Sequence, residues 1–223
     1  MTSEAALDLT PDHSAAVIDP RKPLLIVDVD EVLALFMLGF GRFVGERGYE
    51  MRLDRFAIFD NIYPMGGAEP VAAKAGRALF DDFFREGCED IDPAPHAPQS
   101  LRRLADRASV VVLTNAPEHG RPGRTRWLAR HGMDYPLIMN SGPKGAAVAA
   151  LAARTRGPAA FVDDLLYQLD SAAETAPAVR RFQLVADPRL RSMAPSAPER
   201  HRRIDDWPSL TAALEATLDM AGG

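Results

Sequence analysis

Short apolar runs without alternation recur along the chain: Pro23–Asp28 (PLLIVD), Ser109–Leu113 (SVVVL), Pro136–Met139 (PLIM), Ala159–Val162 (AAFV) and Phe182–Ala186 (FQLVA). A strand covered on both faces has no polar side, so such runs predict the interior of a parallel sheet. Helical stretches separate them, at Pro98–Arg107, Gly123–His131 and Pro143–Arg154. Near the end, Leu210, Ala213, Leu214, Thr217 and Leu218 follow an i, i+3, i+4, i+7, i+8 spacing, which predicts an amphipathic helix packed on the sheet. Strands alternating with helices predict an α/β fold, a doubly wound, Rossmann-like parallel sheet with right-handed crossovers.

One interval breaks the rhythm. Asp28 and Thr114 lie 86 positions apart, whereas a simple strand–helix–strand step takes roughly 30 residues. The excess, residues 35–97, reads as an insertion after the first strand. It holds Phe36, Phe40, Phe43, Phe56, Phe59, Phe80, Phe83 and Phe84, eight of the ten phenylalanines. Two of these groups have helical spacing, which predicts a small helical cap with its own aromatic core. The proline-rich return at Ile91–Pro98 predicts a stiff linker. Hinges are expected at Asp92–Pro98 and at Leu38–Gly41, where Gly39 and Gly41 permit a backbone change. The core then comprises 23–34 and 98–223. Residues 1–22 read as a polar, partly disordered tail without the apolar stretch of a signal peptide.

Composition narrows the classes. At 223 residues the chain suits one α/β domain with a modest insertion. A net charge of -5 argues against nucleic acid or an anionic membrane as partner. The only cysteine, Cys88, excludes an internal disulfide framework and fits a reducing cytoplasm. No run approaches the roughly 20 apolar residues of a membrane span.

Ligands of open α/β sheets bind beyond the carboxyl ends of the strands. There the chain places Asp28 and Asp30, then Thr114 and Asn115, then Lys144 ahead of the next strand, then Asp163 and Asp164. Each alone means little, and an Asp-Asp pair can simply cap a helix. Together they bring four acids, a hydroxyl and an ammonium to one sheet edge.

The runs LLIVDVDEVLA, VVVLTN, GPKG and FVDDL resemble the four motifs of the haloacid dehalogenase-like (HAD) hydrolases, with a cap at the type-one (C1) position. Many members carry Gly where this chain has Glu31, which either faces solvent or tunes what enters. The resemblance implies a phosphatase in which Asp28 is the nucleophile, forming an aspartyl-phosphate. Asp30, on the same side of the extended backbone, would protonate the leaving alkoxide and then activate water. That role needs a carboxyl raised by the neighbouring acids. A departing halide needs no proton, so Asp30 favours phosphate-ester cleavage over dehalogenation. Thr114 and the backbone N–H of Asn115 would bind phosphoryl oxygens, and Lys144 would neutralise nucleophile and phosphate.

Clustered carboxylates point to Mg²⁺. The resemblance implies as its ligands Asp28, the Asp30 backbone carbonyl and the Asp163–Asp164 pair, with Asp164 favoured as the direct one. The expected partner is a small phosphorylated substrate, a nucleoside monophosphate being the first class to test by analogy with cytosolic 5'-nucleotidases. The alternative is a catalytically weak relative whose aromatic cap is an interaction or dimerisation surface, marked by an exposed apolar patch.

Other candidates carry less. The five histidines lack metal-ligand spacing, and Cys88 has no base partner. Arg121, Arg124, Arg126 and Arg130 fit a solvated helix face; alternatively Arg121 or Arg124 reaches a second anionic group on the substrate. Phe36, Phe40, Arg42, Asn61 and Tyr63 are either cap core and surface or the lining of a pocket.

Overall fold

The computed structural model describes residues 18–219, so most of the tail expected over 1–22, and His13 with it, lies outside the described residues. Six parallel strands form one sheet in the order β5-β4-β1-β6-β7-β8. They are β1 (Leu24–Val27), β4 (Ser109–Thr114), β5 (Leu137–Met139), β6 (Ala159–Asp163), β7 (Arg180–Gln183) and the two-residue β8 (Arg202–Arg203). The central strands β1, β4 and β6 are buried at every position, which is why their sequences are apolar without alternation. Helices α3 (Ala97–Ala105), α4 (Arg121–Arg130), α5 (Gly145–Ala152), α6 (Leu166–Thr175) and α7 (Trp207–Asp219) complete the α/β fold. Among the described residues no helix is long and apolar enough to cross a membrane.

Between β1 and α3 lie α1 (Phe36–Gly45), a hairpin of β2 (Tyr49–Met51) and β3 (Ile62–Pro64), and α2 (Ala73–Glu86). The two spaced groups, Phe36/Phe40/Phe43 and Phe80/Phe83/Phe84, do fall on helices, and they pack ring on ring: Phe80–Phe84 at 4.8 Å and Phe36–Phe83 at 5.5 Å between centroids. They do not form a separate core. One continuous apolar cluster joins Phe36, Phe40, Phe83 and Phe84 to Val27, Leu101 and Trp127.

The crossings also differ from the expected hinges. Gly39 and Gly41 lie inside α1, and a side chain at Gly39 would collide with Ile91, so close packing explains that glycine. The chain instead passes at residues 33–35 and 92–94, where backbone pairs stitch the two crossings together. Leu35 N–H donates to Asp92 at 3.0 Å and Ala94 N–H to Leu33 at 2.7 Å. Two buried indoles add to this, Trp127 donating to the Ile91 carbonyl and Trp207 to the Val32 carbonyl. These backbone and indole hydrogen bonds make the linker a clamped joint.

Helices α5 and α6 approach so closely that only glycine fits at residue 145. A Cβ there would stand 2.6 Å from Thr175 Oγ1 and closer still to the Ser171 carbonyl oxygen. Gly145→Ala should therefore push α5 off α6 and destabilise the fold by about 1–3 kcal/mol. Lys144 sits immediately before it, so activity should fall too. A urea midpoint unchanged from wild type would contradict this packing argument.

Candidate active site

The nucleophile candidate and its cationic partner come from two sheet ends. Asp28 follows β1 and is 5 % exposed; Lys144 precedes α5 and is 1 % exposed. Lys144 Nζ lies 2.8 Å from Asp28 Oδ1 and 2.7 Å from Asp163 Oδ2. Burial alone would lower the Lys144 ammonium, but the Asp163 and Asp28 carboxylates outweigh it and hold the charge in place. Three side-chain amides fix the loop that carries it. Asn115, Asn140 and Gln168 all donate to the Gly142 carbonyl, and Gln168 Oε1 accepts the Lys144 N–H at 2.7 Å. Gln168, on the first turn of α6, carried no motif signal; only the folded loop reveals its part. The Asn115 side chain is thereby committed to loop and Asn140 contacts.

Asp163 ends β6 and Asp164 follows it. One carboxylate oxygen each from Asp28, Asp163 and Asp164 lies within 4.8 Å of the others, close enough to share a cation. Asp163 already accepts from Lys144 through Oδ2 and from the Leu165 N–H through Oδ1 at 2.9 Å. No hydrogen bond reaches the Asp164 carboxylate from the described residues, whereas its backbone carbonyl accepts from Gln183. Burial, followed by the adjoining carboxylates, raises Asp164 well above the usual carboxylate range. Asp163 is also raised by burial, with Lys144 opposing. Such a cluster is short of positive charge, and its donors are all oxygen, which suits Mg²⁺. Thr114, the last residue of β4, is fully buried, and its hydroxyl has no hydrogen-bond partner among the described residues.

Asp30 stands apart from this trio. It is half-buried and ion-paired with Arg124 of α4, whose side chain is fully buried and lies 5.0 Å from the centroid of the Phe84 ring. Asp30 is raised, as expected, but the first cause is burial; Arg124 opposes it and Asp28 adds to it. The basic stretch therefore splits. Arg121 pairs with Glu118, and Arg126 and Arg130 with Glu89 on the surface. Arg124 turns inward on the same face as Trp127 and Leu128. Its charge goes to Asp30, which leaves a second substrate anion unserved.

Glu31 also turns inward. Its φ is 57°, a left-handed backbone that costs a non-glycine residue roughly 1–2 kcal/mol, which explains why glycine suits this position. Compensation comes from three contacts. Its carbonyl accepts the Ala186 N–H, and its carboxyl accepts the Met37 and Asp187 N–H groups at 2.7 and 3.3 Å. Burial pushes the carboxyl up to about 8. Of the other cap candidates, Phe36 lines the cavity, Phe40 is core, and Arg42 pairs with Asp92. The buried Asn61 amide donates to the Arg55 and Ala57 carbonyls, and Arg52 stacks on Tyr63. The Cys88 thiol is buried and raised, unsuited to nucleophilic attack.

Asp28, Asp30, Glu31, Thr114, Lys144 and Asp164 open onto one cavity of about 180 Å³, roofed by residues of α1, α2 and the 56–58 loop. Together they make an acidic, cation-demanding site at the carboxyl edge of a parallel sheet, under an aromatic roof.

No protein-family model and no curated protein matches the sequence. Solved structures do match the fold. A HAD-family hydrolase of Deinococcus radiodurans R1, with bound phosphate and sodium, superposes with a TM-score of 0.59 at 14% identity, covering 89% of this chain and 96% of its own. A haloacid dehalogenase-like hydrolase of Streptococcus pneumoniae gives 0.58 at 10%, covering 87% and 99%. YfnB of Bacillus subtilis, bound to magnesium, gives 0.57 at 13%, with 87% and 99% covered. The chain has the Rossmann-like fold of the HAD hydrolases, in agreement with its motifs.

Proposed function

We propose that this protein is a Mg²⁺-dependent phosphomonoester hydrolase that works through an aspartyl-phosphate on Asp28. The observation that carries the reading is the shared cavity of Asp28, Lys144, Asp164 and the unpartnered Thr114 hydroxyl. Phosphate in the Deinococcus structure and magnesium in YfnB support it by analogy.

Asp28, Asp164 and the Asp30 backbone carbonyl would hold Mg²⁺ directly. Asp163, with both oxygens already accepting, would act behind them. The ion supplies positive charge against the clustered acids and the phosphoryl oxygens. Lys144 holds the Asp28 carboxylate in place for in-line attack, and Thr114 Oγ donates to a phosphoryl oxygen as charge develops. Asp28 Oδ bonds to phosphorus while the bond from phosphorus to the ester oxygen breaks. The departing alkoxide takes the proton of Asp30. The Asp30 carboxylate, steadied by Arg124, then accepts a proton from water as that water attacks phosphorus. Breakage of the Asp28–phosphorus bond frees inorganic phosphate and restores the carboxylate.

The interaction-surface alternative lacks its expected patch. Among the described residues the exposed large apolar side chains are Met65 of the insertion and Tyr167 of α6, two separate positions. The free, buried Cys88 fits a cytoplasmic setting.

Chelation tests the metal. EDTA should abolish hydrolysis of p-nitrophenyl phosphate and Mg²⁺ should restore it. Mg²⁺ at about 100 times its Kd should also add about 2.7 kcal/mol of stability. Undiminished turnover after exhaustive chelation would remove the metal from the mechanism. Absence of turnover on every ester, with Mg²⁺ present, would remove the hydrolase.

A further inference from the structure

The cavity has two unlike halves. On the core side lie the titratable groups and Thr114. The roof is Phe36, Met37, Phe56, Ala57, Ile58 and Phe80, with no polar side chain among them. Leu165 and Leu190 extend the apolar wall on the core side. The other neutral polar lining groups, Asn115 and Gln168, are engaged with the 140–144 loop and with Tyr167.

Charge points the same way. Lys144 is the one cation among the described residues lining the cavity, and it is held between Asp28 and Asp163. Arg124, which reaches the lining residue Asp30, is buried against it. Asp30, Glu31 and Asp164 meanwhile line the cavity with acid. A second phosphate or a carboxylate on the leaving group would find no uncommitted cation on one side and hydrocarbon on the other. Sugar or ribose hydroxyls would exchange water for side chains that cannot hydrogen-bond.

We propose that the substrate is a phosphomonoester of an apolar alcohol, aliphatic or aromatic, carrying no second charge and no free hydroxyl; this rests on the phosphomonoesterase reading above. The phosphoryl group sits at Asp28, Thr114 and Lys144, and the hydrocarbon part packs among the phenylalanines of the roof. The apolar wall gives affinity by burial, and the absence of donors and acceptors gives selectivity against polar esters.

The test compares primary alkyl esters, whose leaving alkoxides are alike, on the full chain with Mg²⁺. Benzyl phosphate and n-butyl phosphate should exceed ribose 5-phosphate, glycerol 3-phosphate and adenosine 5'-monophosphate in kcat/KM by on the order of 10²-fold. Ile58→Asn, which adds an amide to the roof, should narrow the benzyl-to-ribose ratio by about tenfold. Equal rates, or a lead for the nucleotide or sugar ester, would overturn the substrate class while leaving the hydrolase intact. Inactivity on every ester, p-nitrophenyl phosphate included, would overturn the hydrolase instead. Binding then decides the present inference: benzylphosphonate should raise the Tm of the Mg²⁺-supplemented protein more than 2,3-dihydroxypropylphosphonate does. An equal or smaller shift would overturn it.

Discussion

Asp28→Asn should abolish phosphatase turnover, by on the order of 10⁴-fold or more, and leave the protein folded. An amide is a poor nucleophile and cannot carry the phosphoryl group. The fold survives because Lys144 keeps Asp163 as its partner at 2.7 Å and the cluster loses one of its mutually repelling acids. Without metal, the variant should melt at or above the wild-type temperature; with Mg²⁺, its gain should be smaller than that of wild type, since one ligand is gone. Single-turnover rates and melting curves with and without Mg²⁺ check both halves. Wild-type turnover in this variant would show that phosphorus is attacked by something else.

Lys144→Met should give the opposite pairing of effects, losing activity and stability together. Lys144 and Asp163 are essentially inaccessible to water, and removing the ammonium leaves Asp163 and Asp28 buried without a counter-charge. Breaking a buried pair from one side costs about 3–5 kcal/mol. At about 2–4 °C per kcal/mol for a chain of this size, the Tm of the metal-free protein should fall by roughly 6–20 °C. Methionine keeps most of the side-chain volume, so a cavity does not account for such a loss. A Tm within about 2 °C of wild type would mean that the acids are neutral or solvated without the lysine. Comparison with Asp28→Asn should separate the two roles expected of this pair, chemistry for one partner and chemistry with charge balance for the other.

The site divides into parts legible along the chain and parts that are not. Asp28, Thr114, Lys144 and Asp164 were legible because strand ends in a parallel sheet converge on one edge, and the apolar runs mark those ends. The cavity does gather them. Gln168 was not legible, because its work is done through space on the Gly142 carbonyl and the Lys144 N–H. Arg124 was half legible: residues 124, 127 and 128 share a helix face, but only packing decides that this face is buried. Its pairing with Asp30 spans 94 positions and follows from how α4 lies against the end of β1. The φ of 57° at Glu31 is likewise set by the path from β1 into the insertion, and the sequence offers only the missing glycine as a hint.

By itself, then, the sequence determined the parallel sheet, the helices between its strands and the acids at its edge, because burial on two faces and helical spacing are written in local composition. It also placed six of the insertion's phenylalanines, Phe36, Phe40, Phe43, Phe80, Phe83 and Phe84, on helices. Tertiary structure alone decided that those rings join the main core, that the crossings are paired backbone with two indole clamps, and that glycine at 39 serves packing. It decided, too, that the strand of charged residues at Arg202–Arg203 adds to the sheet edge, where one face and one side remain in water. The physical reason is common to all of these: they depend on contacts between segments far apart in the chain, and local pattern carries no record of which distant surface a residue will meet.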